Sequence, residues 1–212
     1  FRRSARTDDA ATVERAQEPD LRDGAADEST DPPPPGEQDR GPWDVADLPD
    51  RGERLDLGVL WIPPVQGMEL RMELDESRTV VTGVGIVLDG STLQVQAFAA
   101  PRTAGIWDEI RAEIAESVTK QGGSADDLPG PFGRELLARL PVRTQDGRTS
   151  HRPARFIGAD GPRWFLRGVL TGRAAIDPEA ATRLEGVFAD TVVLRGADAK
   201  APCAATKAVI AG

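Results

Sequence analysis

Between Pro42 and Gly196 the chain has a single histidine, His151, and neither cysteine nor tyrosine. Those side chains carry most nucleophilic, general-base and transition-metal chemistry near neutral pH. Their scarcity argues for a binding or structural module over an enzyme, and it predicts no catalytic residue, no metal and no cofactor. The one cysteine, Cys203, lies in an Ala-rich tail and cannot close an intrachain bridge. That suits a reducing compartment or indifference to redox state. No apolar run approaches the ~18 residues of a membrane span, and no apolar stretch follows Phe1-Arg2-Arg3 as it would in a secretory signal. No membrane partner is expected, and a cytoplasmic location follows by default. Lysine is scarce as well: 23 of the 26 basic residues are arginine, which reads as coding bias before function.

What is present is acidic. The net charge is −9 over 212 residues, with 6 basic and 11 acidic side chains in residues 1–41 and 18 against 23 in residues 42–196. Phosphate neutralisation needs clustered cations, so the balance argues against nucleic acid. Residues 1–41, with Pro32 to Pro35 in a row and almost no large apolar side chains, read as a disordered acidic, Pro-rich tail. Residues 42–196 read as a single α+β domain, large enough to fold without disulfide or metal. Residues 197–212 read as a disordered Ala-rich tail. The sequence gives no oligomeric state.

Within the domain the hydrophobic period is two, then near four, then two again. Leu55, Leu57, Val59 and Trp61 alternate as a strand that Pro63-Pro64 stops, and Leu70, Met72 and Leu74 form a second. Val80 to Leu88 and Leu93 to Ala99 form a hairpin about Asp89-Gly90. Ile106, Ile110, Ile114 and Val118 mark an amphipathic helix, capped by Thr103 and closed by Gly122-Gly123. A loop through Pro129 and Pro131 leads to strands at Glu135–Arg143, Arg152–Gly158 and Arg163–Ala174, the last two joined by a turn at Asp160-Gly161-Pro162. Asp177-Pro178-Glu179 opens a second helix whose buried stripe is Ala181, Leu184, Val187 and Phe188, and Val192 to Leu194 form a short last strand. Short links within each run of strands predict an α+β fold: a predominantly antiparallel sheet of about seven or eight strands with two amphipathic helices packed on it.

Four stretches carry a resemblance. Gly41-Pro42-Trp43-Asp44, Leu93 to Pro101, Gly161 to Gly168 and the Asp177–Phe188 helix resemble an uncharacterised actinobacterial family of unknown function over about residues 41–196. The resemblance implies no catalytic residues. More loosely, the long Trp-bearing strand followed by a helix and a short strand is similar to the PsbP-like fold, which implies a binding scaffold.

The remaining constellations are weighed by chemistry. His151 beside Ser150 lacks the facing geometry of a catalytic pair. Gly83-x-Gly85 precedes strand, not helix, so it is not a dinucleotide fingerprint. Asp44, Asp47 and Asp50, like Asp126 and Asp127, lack the Gly turn and bidentate Glu of a Ca²⁺ loop and read as solvated acids. Arg139, Arg143, Arg155, Arg163 and Arg167 are expected on contiguous strands, Arg139 sharing a face with Arg143 and Arg163 with Arg167. They read either as a solvent face cross-paired with acids or as a surface for an anionic ligand or protein partner. Trp107 and Trp164 match the core, whereas Trp43 either staples the tail or anchors a partner. Two functional readings remain: a soluble, non-enzymatic module that binds a protein or small anionic ligand, or an enzyme using carboxylates and arginines on a phosphorylated or nucleotide-like substrate.

Overall fold

A computed structural model describes residues 41–74, 81–101, 104–144 and 146–194, so residues 1–40 and the expected C-terminal tail lie outside it. In chain order the elements are β1 (Trp43–Asp44), β2 (Leu55–Asp56), β3 (Leu60–Ile62), β4 (Glu69–Leu74), β5 (Val81–Leu88), β6 (Ser91–Ala99) and α1 (Ile106–Lys120). They continue with β7 (Ser124–Gly130), β8 (Gly133–Arg143), β9 (Thr149–Gly161), β10 (Trp164–Thr171), α2 (Pro178–Asp190) and β11 (Val192–Val193). Seven strands make one antiparallel sheet in the order β4-β5-β6-β10-β9-β8-β7, and a second, smaller sheet runs β1-β11-β3-β2. The expected α+β fold is present, with strands predominating. The expected single sheet is corrected to two, and β1 runs parallel to β11 in the smaller one.

Local chemistry sets the turns. Asp89 and Gly90 both take positive φ, 50° and 75°, the geometry that lets a two-residue loop follow the twist of β5 and β6. The β9–β10 turn is Pro162-Arg163, with Gly161 opposite Trp164, so the expected turn at Asp160 to Pro162 is displaced. The pairing continues instead to Gly161, and Arg163 sits in the turn at φ 69°, not on a strand. The expected loop through Pro129 is β7, an exposed edge strand whose position tolerates a proline because one side needs no partner. The expected strand Leu55–Trp61 breaks in two around Gly58, whose N–H donates to Asp56 Oδ1 at 2.9 Å. The break shifts the register: Leu60 and Ile62 are buried, not Val59 and Trp61.

Each face of the main sheet has its own cover. On one face, α1 packs Ile106, Ile110, Ile114 and Val118 over Leu136, Ala138 and Phe156, and Trp107 stacks on Phe165 at 5.8 Å between centroids. On the other, α2 and the small sheet bury Leu184, Phe188, Leu60 and Ile62 against Val95, Leu166 and Leu170. The α2 stripe is the expected one, and Asp177 caps it by accepting from the Glu179 N–H at 3.0 Å. Thr103 lies outside the described residues. The α1 N-cap is Gly105, which has no capping side chain. Asp160, at the far end of β9, supplies the carboxylate instead, accepting from the Ile106 and Trp107 N–H groups at 3.1 and 3.0 Å. Gly122 and Gly123 close α1 as expected, the Gly123 N–H reaching Val118 O at 3.0 Å.

Candidate functional site

The five arginines do not share a face. Arg155 pairs with Leu170, whose side chain lies in the α2 core, whereas Arg167 pairs with Gly158 beneath Trp107. Their side chains therefore leave the sheet on opposite sides. Arg139 is exposed and bound at 2.8 Å to Asp126 across the β7–β8 pair. Arg163 is exposed in its turn, and Arg143 is exposed at the end of β8.

Arg167 is 1% exposed. It donates to Gln96 Oε1, and its guanidinium lies 5.4 Å over the Phe98 ring. Gln96 donates in turn to Glu73 Oε2 at 2.9 Å, and Gln94 donates to Glu73 Oε1. Gly83 lies under this group, where a Cβ would press on Gln96. Burial lowers the Arg167 pKa to about 10 while Glu73 opposes it, so the group stays cationic at neutral pH.

Arg155 lies between two acids on the other face. It donates to Glu185 Oε1 from α2, and its Nε stands 3.7 Å from Glu135 Oε1. Burial pushes the Glu135 carboxyl up; Arg155 opposes this and Glu185 adds to it. The buried Glu135 Oε2 has no hydrogen-bond partner among the described residues. Nearby, a cavity of about 230 Å³ opens between Pro131-Phe132 and the Glu185–Ala189 stretch of α2.

Trp43 is half-buried on β1, its N–H donating to Thr191 O at 2.9 Å. The next residue, Asp44, is fully buried and accepts from Trp164 Nε1 at 2.7 Å. Asp47 and Asp50 are exposed, so the three acids do not converge. Among the described residues, no group of three metal-ligating side chains comes together. His151 and Ser150 are exposed neighbours on β9, on alternate sides of the strand.

The arrangement that pattern reading misses is a protruding hairpin. The β7 pairing with β8 ends at Arg139, and the β10 pairing with β9 ends at Ala154. Residues 140–143 and 149–152 then continue as a two-stranded arm that pairs only with itself among the described residues. Its turn is built by Thr144, whose N–H and hydroxyl both donate to Arg148 O at 2.9 Å. The arm holds three arginines, Arg143, Arg148 and Arg152, against one acid, Asp146. Arg148 lies 3.4 Å from Asp146, whereas Arg143 and Arg152 have no ion pair among the described residues.

At the base of the arm a cleft of about 470 Å³ is lined by Arg152, Pro153, Thr171, Gly172, Arg173 and Ile176. Ile176 is 65% exposed. It precedes the Asp177 cap, the position where an apolar residue ordinarily packs back onto its helix. That mismatch appears only in the folded chain, where it marks the cleft. Arg173 is already held by Asp177 Oδ2 at 2.7 Å, so Arg152, beside the exposed Ile176 side chain, is the guanidinium fork that can hold a carboxylate next to an apolar group.

Fold and side chains define a mostly stranded α+β protein with a helix on each face of its main sheet. The family described as protein of unknown function (DUF3710) matches residues 41–208, and the chain belongs to that family. No curated protein and no solved structure matches the chain, so the looser likeness to the PsbP-like fold finds no counterpart. Among the described residues, no helix is long and apolar enough to cross a membrane.

Proposed function

We propose that this chain is a non-enzymatic binding module that holds an acidic protein segment on its basic arm. The observation that carries the reading is that Arg143 and Arg152, exposed and without an ion pair among the described residues, lie on a ribbon that outruns β7 and β10 in a chain of net charge −9. A locally positive projection on an acidic body draws carboxylates to that end and repels them elsewhere. Three arginines give too few phosphate contacts to hold a duplex strongly, and Ile176 in the cleft favours a ligand with apolar side chains. Arg143 keeps its expected role in this reading, joined by Arg152, while Arg173 is held by Asp177 at 2.7 Å. Arg139 is taken by Asp126, and Arg155 and Arg167 serve the two interior networks. A cytoplasmic setting accords with a chain whose one cysteine is Cys203.

The observation that favours the enzymatic alternative is the meeting of Glu135, Glu185 and Arg155 beside the smaller cavity. Two carboxylates around one guanidinium leave that cluster negative, which disfavours a phosphorylated substrate. It serves better as a tether of α2 to the sheet.

The test is a fluorescence-anisotropy titration of the full chain with a labelled peptide of alternating aspartate and valine. A lysine–valine peptide and a duplex DNA of random sequence are run in parallel. The acidic peptide binds best, and Arg143→Glu with Arg152→Glu weakens it by about tenfold or more, since charge-assisted hydrogen bonds are worth roughly 1.5–3 kcal/mol each. An affinity indifferent to both substitutions, or duplex binding tighter than peptide binding, overturns the reading.

A further inference from the structure

We infer that the acidic segment is bound as an added β-strand, running beside residues 149–152 in the lane that β10 leaves. The inference rests on the binding reading above and supplies its geometry. After Thr171, opposite Ala154, the chain turns aside into a 3-10 turn at Gly172–Ala175. Gly172 makes that exit possible: it takes φ 77°, and a Cβ there would stand 2.9 Å from Gly90 O. The Ser91 hydroxyl then accepts from the Ala174 N–H at 3.1 Å and holds the chain away. β9 meanwhile runs on, with Thr149, Ser150, His151 and Arg152 all exposed and no described strand on that side.

An antiparallel strand presents main-chain N–H and C=O groups to alternate sides. Two of residues 149–152 therefore direct their hydrogen-bonding groups into the vacant lane. Pro153 adds no donor, so pairing depends on those four residues. Such an edge is a template for an incoming extended segment, with main-chain bonds giving affinity and side-chain pockets giving selection. The cleft provides the selection. Alternate side chains of an added strand point to opposite faces, so an acid can meet Arg152 while its neighbour meets Ile176.

Charge distinguishes this edge from the two outer edges of the sheet. β7 carries Asp126, Asp127 and Pro129, and β4 carries Glu69 and Glu73 against Arg71. Both repel or blunt an acidic strand. The β9 edge faces guanidinium groups instead.

Main-chain pairing has a signature that simple ion pairing lacks. The probe is the aspartate–valine peptide, with two isomers N-methylated on one or the other alternate set of residues. The parent peptide slows amide exchange at residues 149–152 of the full chain by about tenfold or more, and one methylated isomer loses binding while the other keeps it. If both isomers bind like the parent and Arg152→Glu still weakens them, strand addition is wrong while the acidic-partner reading stands. If the parent peptide does not bind at all, both fall. Protection that appears along β4 or β7 instead of residues 149–152 overturns the inference.

Discussion

Glu135 is a carboxylate held where water does not reach one of its oxygens. Burial pushes its pKa above the ordinary 4.5, with Arg155 opposing and Glu185 adding. The unfolded chain gives up this proton first as pH rises, so the folded state loses stability from about pH 4.5 upward through the raised value. Glu135→Gln removes that titration and leaves the Arg155–Glu185 pair in place. The urea midpoint of the variant minus that of the native chain is therefore expected to grow with pH across this window. A difference that shrinks as pH rises would contradict the assignment. Gly158 makes a second residue-scale case, because a Cβ there would enter the Trp107 ring. Gly158→Ala is expected to cost about 1–3 kcal/mol by overpacking, read by denaturant unfolding and a shifted tryptophan emission. Unchanged emission and midpoint would show that α1 yields without strain.

At the scale of elements, α1 depends on another strand for its start. Asp160→Ala removes the acceptor for two N–H groups and is expected to destabilise the protein by ~0.5–2 kcal/mol, with loss of helical ellipticity ahead of the main transition. The arm should show the opposite of core behaviour. Amides at residues 142–143 and 149–152 are expected to exchange faster than those at residues 154–158, because only one hairpin ladder protects them. Equal protection would mean that the arm is packed, not free. These elements also show what could be read from the chain beforehand. Asp177-Pro178 and a four-residue apolar stripe state α2 outright, and Asp89-Gly90 states its hairpin, because each signal is local. β7 has no apolar alternation, since an exposed edge strand buries neither face, so Ser124–Gly130 looks like loop. The faces of Arg155 and Arg167 depend on where the β9–β10 turn falls, and a one-residue displacement reverses every side chain. The cleft was illegible for the same kind of reason. It exists because β8 and β9 outrun β7 and β10, and relative strand length is a property of pairing, not of any segment.

Over the whole molecule, the main sheet separates two cores and each arginine network ties one of its faces. Arg167 with Gln96 and Glu73 serves the α1 side, and Arg155 with Glu135 and Glu185 serves the α2 side. Those guanidiniums are committed to the interior, whereas Arg143 and Arg152 on the arm, like Arg163 in its turn, are exposed. Binding through exposed arginines should weaken steeply between low and physiological salt, because such pairs are screened within ~8–10 Å. The most direct measurement is a two-dimensional amide NMR titration of the full chain with the aspartate–valine peptide. The account predicts saturable shifts concentrated at residues 143, 148–152 and 171–176, with the interior of the sheet unmoved. Shifts centred instead on residues 132 and 182–189 beside the smaller cavity, or no saturable shifts at all, would contradict it.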